Sequence, residues 1–467
     1  MFRTFRGKPR TGKRQRGQAI YLAFAAIIFL SLMTFASFNI SQMTHGKTQT
    51  MNAADAGAYT FATIVARDLN FMAYTNRAMV ANHAVIGQLV SFASLGEMIY
   101  IAASDLSYLQ YLSWIPYIGS VLEAIGEACE ELADIMDDDV LPMLVDFTEI
   151  YDGLLGVMSG IQAGIRVATI ADLDNVGKVI KANDPHLEWD LSSGAGWLAI
   201  AESAGAFLNG FTEQRDDDDA KGRMRDVINH SRDGFTIRRA WLPVPHLPLP
   251  QREDSKHVFH GGTELSSDDN KTWVGVDGLS IQYDEWDDSE HDWDSAEISF
   301  WLTGAVAGGS GADDWEKLSH GAMSSGAHSA AYDNRKDRME DAYSGIREYY
   351  ELSGDPEPGE HPSDAFVVLV YKPVENATTP NATQTFGTDA DNPFHLDEGR
   401  ARIYGVAAAQ VYFRRPAKND GDPSAGKVLN TTYNEGTYAT LFSPYWQPRL
   451  TDLPASVTAG LLLAADE

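Results

Sequence analysis

The chain has 467 residues, 44% hydrophobic, 10% aromatic and 22% charged, enough for two or three domains with cores of their own. Its 66 acidic residues outnumber 36 basic ones, a formal net charge of −30, and a body so acidic argues against nucleic acid as a partner. Cys129 is the single cysteine, which excludes an intrachain disulfide and a cysteine-based zinc cluster.

Seven basic residues and no acidic one fall within the first sixteen: Arg3, Arg6, Lys8, Arg10, Lys13, Arg14 and Arg16. Residues 17–46 then carry no Asp, Glu, Lys or Arg. The densest apolar part, Ala19 to Phe38, has the roughly 20 residues that a helix needs to cross a hydrocarbon core. A cleaved signal peptide has an apolar region of about 7–15 residues, so an uncut anchor is expected. The basic flank keeps the N-terminus cytoplasmic and sends the acidic body outward. Processing of the type IV prepilin kind after Gly17 would call for Glu at the fifth mature position, where Leu22 stands.

Residues 47–100 read as a long helix continuing from the anchor. Apolar positions recur at Ala54, Ala58, Phe61, Val65, Leu69, Met72, Met79, Ile86 and Val90. The small residues of "NAADAGA", Asn52 to Ala58, permit close approach of another helix, either from a partner or from the protein itself. Asn70, Asn76, Arg77 and Asn82 interrupt the apolar face, as a buried polar network or as solvent-facing groups.

The start "RGQA" with Gly17, Gln18 and Ala19, one apolar helix, a polar spacer and then Asn52, Ala53, Ala54, Asp55, Ala56 and Ala58 resemble the N-terminal module of the TadE/TadG-like proteins of Flp (Tad) pilus assembly. The resemblance covers about residues 14–60. Arg67 to Gln88 and Ser443 to Leu450 also look like long members of that group. Many TadG-like proteins carry a von Willebrand A domain with an Asp-x-Ser-x-Ser metal site. The nearest string, "DLSSG" from Asp190, has a different spacing, so that site is not carried over.

Further along, Leu106 to Leu122 is uncharged and rich in Tyr and Trp. Pro116 and Gly119 interrupt it, which favours a core helix hairpin over an interfacial membrane contact. Acidic amphipathic helices follow to Asn183, where "NDP" is a stop. "RDDDDAKG" from Arg215 reads as a solvated turn or linker, and Trp241 to Pro250 as an extended polyproline-like run. The runs 278–286, 295–306, 364–373 and 401–416 alternate as strands. Asp314 to Leu352 reads as helical. The Asn-x-Ser/Thr sites at Asn376, Asn381 and Asn430 read as loop composition.

Chemistry-bearing motifs are sparse. "GAGWLA", Gly194 to Ala199, fits a dinucleotide fingerprint in letter only, with no continuous strand before it. "DEWDDSEHDWD", Asp284 to Asp294, holds seven carboxylates, either a cation loop or a solvated hairpin tip. Asp172, Asp174 and Gly177 give half of a calcium loop and read better as a helix cap. His257 and His260 lack identifiable co-ligands, and neither His-Glu-x-x-His nor Gly-x-Ser-x-Gly occurs.

The expectation is an α+β protein in four parts: a basic cytoplasmic segment (1–17), a transmembrane helix (18–40), a helical region (47–186) and an α+β periplasmic domain with a largely antiparallel sheet (187–467). It is expected to be no enzyme and to have no catalytic, cofactor or metal residues. By resemblance it is a single-pass component of Flp (Tad)-type pilus biogenesis, minor-pilin-like or a scaffold. The bacterial inner membrane and other pilus-assembly proteins or pilin-like helices would be its partners. The alternative is a tethered cation-dependent adhesin, with weak divalent-cation binding by the acidic loops.

Overall fold

The computed structural model describes residues 18–189, 212–239, 256–266, 270–287, 292–309, 325–353, 365–373, 402–414, 439–455 and 457–458. Its first element is a helix of 90 residues, α1 (Gln18–Ser107), about 135 Å long at 1.5 Å per residue. No proline interrupts it. The polar spacer does not break it, because its hydroxyls are satisfied inside the helix. Thr44, Thr48 and Thr50 donate to the carbonyls four residues back, at 2.8, 2.9 and 2.8 Å.

Along α1 the environment changes abruptly. Side chains from Ile20 to Phe38 stand exposed, whereas Thr50, Ala53, Ala54, Ala58, Phe61 and Ala62 are fully buried. The first sheet explains the change. It has the order β1-β8-β9-β10, all antiparallel, built from β1 (Glu188–Trp189), β8 (Phe366–Pro373), β9 (Arg402–Phe413) and β10 (Trp446–Thr451). Gly405 lets β9 cross the helix backbone: a Cβ there would lie 2.5 Å from the Thr50 carbonyl oxygen. Phe366, Val368 and Val370 face α1, and Phe61 and Phe366 stack with centroids 3.7 Å apart. Val367 and Leu369 pack on the other face with Ala408 and Val457.

A second core follows further along the same helix. Met79, Ile86, Val90 and Ala93 of α1 pack with Trp273, Ala305 and Ala307 of the second sheet. That sheet, of order β3-β4-β5-β6, comprises β3 (Lys256–Leu265), β4 (Trp273–Asp287), β5 (Asp292–Ala307) and β6 (Lys336–Met339). Only its β5–β6 pair is parallel. A two-stranded antiparallel ribbon joins β2 (Thr212–Arg215) to β7 (Tyr349–Leu352). The molecule is thus α+β with largely antiparallel sheets, and α1 runs through both cores.

The remaining helices form an arm beside α1. Helix α2 (Gly119–Ile135), a π-helical turn (Met136–Val140) and α3 (Leu141–Ala171) follow one another directly, and α4 (Leu173–Asn183) comes next. Three short α-helices, α5 (Asp218–His230), α6 (Gly234–Ile237) and α7 (Ser325–Asp333), and two 3-10 turns, Tyr108–Leu112 and Glu340–Ala342, complete the described helices.

Three expectations need correction. The segment 314–352 is not one helix. Among its described residues only Ser325–Asp333 is α-helical, and β6 and β7 follow. Both strands take hydrogen bonds from distant strands, β5 and β2, so tertiary pairing overrides local propensity. "RDDDDAKG" is no linker either: Asp217 accepts a 2.9 Å bond from the Ala220 amide as N-cap of α5, whose Ala220, Met224 and Ile228 are buried. The Tyr/Trp-rich segment does turn between helices, but outside the core. Trp114 is 76% exposed and Tyr117 fully so. Its turn is closed by backbone contact: a Cβ on Gly126 would lie 2.4 Å from the Gln110 nitrogen.

Candidate interaction surfaces

The exposed N-terminal part of α1 is the first surface. It is the one stretch among the described residues long and apolar enough to cross a membrane, and none of it is buried by the protein itself. Water would face Ile20, Leu22, Phe24, Ile27, Phe29 and Leu30 if no bilayer did.

The small-residue stretch is not a second surface. Ala54 and Ala58 are fully buried, and a Cβ on Gly57 would lie 3.0 Å from Ile180 and 3.4 Å from Val368. Of the two readings of "NAADAGA", packing against the protein's own elements holds. A partner helix has no access to these positions.

The polar residues on α1 divide by position. Asn76, fully buried, donates to the carbonyls of Tyr350 (2.9 Å) and Leu441 (3.0 Å), while Gln162 of α3 donates to its Oδ1 (2.6 Å). Asn70 bonds the backbone of Trp446 in both directions, at 2.9 Å each. Asn82 turns back to the Ala78 carbonyl and Arg77 is exposed. The network therefore exists at Asn70 and Asn76 and ties β7, the start of β10 and the Leu441 segment to the helix.

Buried charges serve the same end. Arg239 and Asp277, both fully buried, form a two-point pair (2.7 and 2.9 Å). Arg239 also donates to Thr263 Oγ1, Gly262 O and Val276 O. Gly261 makes room, since a Cβ there would overlap Asp277. Arg338 bridges Glu97 of α1 (2.6 Å) and Asp137 of the π turn (2.5 Å), and burial raises the Glu97 carboxyl above its usual range. His83 accepts or donates at Nδ1 with the Tyr343 hydroxyl, 2.9 Å away. Desolvation lowers its pKa to about 3, so the ring is neutral.

The other residues singled out in the sequence are scattered. His260 is buried with Nε2 2.6 Å from Ser280 Oγ, and the His257 side chain lies outside the described residues. The acidic run spans the end of the β4–β5 hairpin, where Asp287 pairs with Asp292, but its side chains and residues 288–291 lie outside the described residues. Asp172 stands at the N-cap of α4 without a capping bond and instead accepts from Arg67 (2.9 Å). Asp174 pairs with Lys178 (2.7 Å), and Gly177 backs onto Trp189. Cys129 is half-buried in α2. Asp190, Gly194 to Ala199, Trp241 to Pro250, Asn376, Asn381 and Asn430 lie outside the described residues. Among the described residues no three His, Cys, Asp or Glu side chains are grouped to hold a metal ion.

No protein-family model, curated protein or solved structure matches this chain. Function must therefore be argued from its own surfaces. One of these escaped the sequence reading: the outer face of the helical arm, with Ile150 and Val157 each 57% exposed. The signal was present, since α3 carries two apolar stripes where an ordinary surface helix has one.

Proposed function

We propose that this chain is a non-enzymatic, single-pass membrane protein that serves as a structural or assembly component of Flp (Tad)-type pilus biogenesis, minor-pilin-like or a scaffold. Its N-terminus would lie in the cytoplasm and its body in the periplasm of a bacterium, held by the inner membrane. The observation that carries this reading is the continuity of α1: one helix leaves an apolar segment bare and then becomes the spine of both cores. Such a device holds a large acidic body at a fixed attitude to a membrane. The basic cluster before it supplies the orientation, and the resemblance over residues 14–60 supplies the pilus system.

The lateral docking that this role requires does not run through Ala54 and Ala58, which are spent on the protein's own core. It would use the bare part of α1 in the membrane and the outer surface of the body. The decisive experiment is deletion of the gene in its source bacterium, with complementation by the full chain and by a chain lacking residues 18–43. Loss of pili that only the full chain restores would support the proposal. Normal piliation in the deletion strain would end it.

A further inference from the structure

Helix α3 has two apolar faces. Leu141, Leu144, Thr148, Leu155 and Gln162 are buried toward the body. Rotated by about 120° around the helix from that face, Met143, Phe147, Ile150, Leu154, Val157 and Ile161 are 42–57% exposed. Their spacing alternates four and three residues without a miss, the 3.5-residue repeat of a helix that packs along another helix.

The stripe does not start at α3. On α2, Val121, Ile125, Leu132 and Ile135 are exposed at the same repeat. From Ile135 to Met143 there are eight residues where the repeat asks for seven, and the π-helical turn lies between them. A π turn absorbs one extra residue, so the two halves stay in phase. Beside the stripe, Gly153, Gly156, Gly160 and Gly164 have nothing within 4 Å of where a Cβ would be, which leaves the flank open to a close neighbour.

Charge selects the occupant. Between Gly119 and Ile165 there are eleven acidic residues and no Lys or Arg. A second copy laid on the stripe would set acid against acid, and an anionic bilayer would be repelled likewise. We infer that the α2–α3 face is a docking groove for an amphipathic helix of another protein, with apolar residues at a 3.5-residue repeat flanked by Lys or Arg. This inference goes beyond the pilus reading and does not depend on it.

The test uses the full chain in phosphatidylcholine nanodiscs and two fluorescent helical peptides of about four heptads. Both carry Leu and Ile at the apolar positions; one has Lys at the flanks, the other Glu. Anisotropy should show the Lys peptide binding about tenfold or more tighter than the Glu peptide, with the gap narrowing at about 0.5 M salt. Ile150→Asp with Val157→Asp should remove binding while leaving the melting temperature in place, and the milder Leu154→Gln should weaken it. Equal binding of both peptides, binding equal to that of empty discs, or undiminished binding by the variants would overturn the inference. So would concentration-dependent self-association that Ile150→Asp with Val157→Asp abolishes, since that assigns the face to a second copy.

Discussion

Asn70 and Trp446, 376 residues apart, exchange two hydrogen bonds of 2.9 Å between one side-chain amide and one backbone unit. The helix thereby holds the start of β10, beside which, among the described residues, β9 is the one paired strand. Asn70→Leu should cost about 1–3 kcal/mol by stranding the Trp446 backbone groups. Thermal denaturation of the purified chain would reveal it, and an unchanged melting temperature would show that water replaces the amide.

Gly87 and Trp273 meet at the second core. A Cβ on Gly87 would sit 2.6 Å from the Trp273 ring, and Trp273 is fully buried. Gly87→Ala normally gains helix propensity of about 1 kcal/mol, yet here the clash should reverse the sign and destabilise by about 1–3 kcal/mol. Gly153→Ala, where the space is open, should be neutral or stabilising in the same melt.

Ala54→Leu with Ala58→Leu should unsettle the first core and yield less folded protein, because both sites are closed by the protein itself. A doubly substituted chain that melts like the wild type would contradict the packing described for α1.

Arg239→Met leaves the Asp277 carboxylate buried without its partner, at a cost of about 3–5 kcal/mol. Adding Asp277→Leu should recover much of that loss. The double-mutant cycle read by denaturant unfolding gives the coupling, and two additive losses would show the pair to be independent.

His83 gives the protein an acid limb. Its folded pKa of about 3 lies below the ordinary 6.5, so the unfolded chain takes up the proton first. Its contribution to stability is complete above pH 6.5 and falls by about 1.4 kcal/mol per unit as pH drops from there toward 3. His83→Leu should flatten stability between pH 6.5 and 4, measured against the wild type at each pH. A parallel pair of curves would mean that His83 takes up its proton in place.

Much of this was legible beforehand. The bare apolar segment announced itself through the absence of charge, and β4, β5, β8 and β9 through alternation. Periodicity named the buried face of α1 at Phe61, Met72 and Ile86 but not what would cover it, because a stripe records burial and not its partner. The strands after Ser325–Asp333 were hidden since β6 and β7 owe their form to neighbours remote in sequence. Trp114 and Tyr117 misled for the opposite reason: aromatic content suggested a core, while a glycine-tight backbone closed the turn without them. The stretch of α1 from Phe38 to Ser107, about 105 Å of axis, also separates Phe38 from Tyr108, which removes that tip from the bilayer the anchor would occupy.

An unbroken α1 has a mechanical consequence. It works as an axle, with the exposed apolar segment at one end and two cores keyed to its shaft by Gly405, Asn70, Asn76 and Gly87. With no proline joint along it, a quarter turn of that apolar end would swing the acidic arm through a quarter circle.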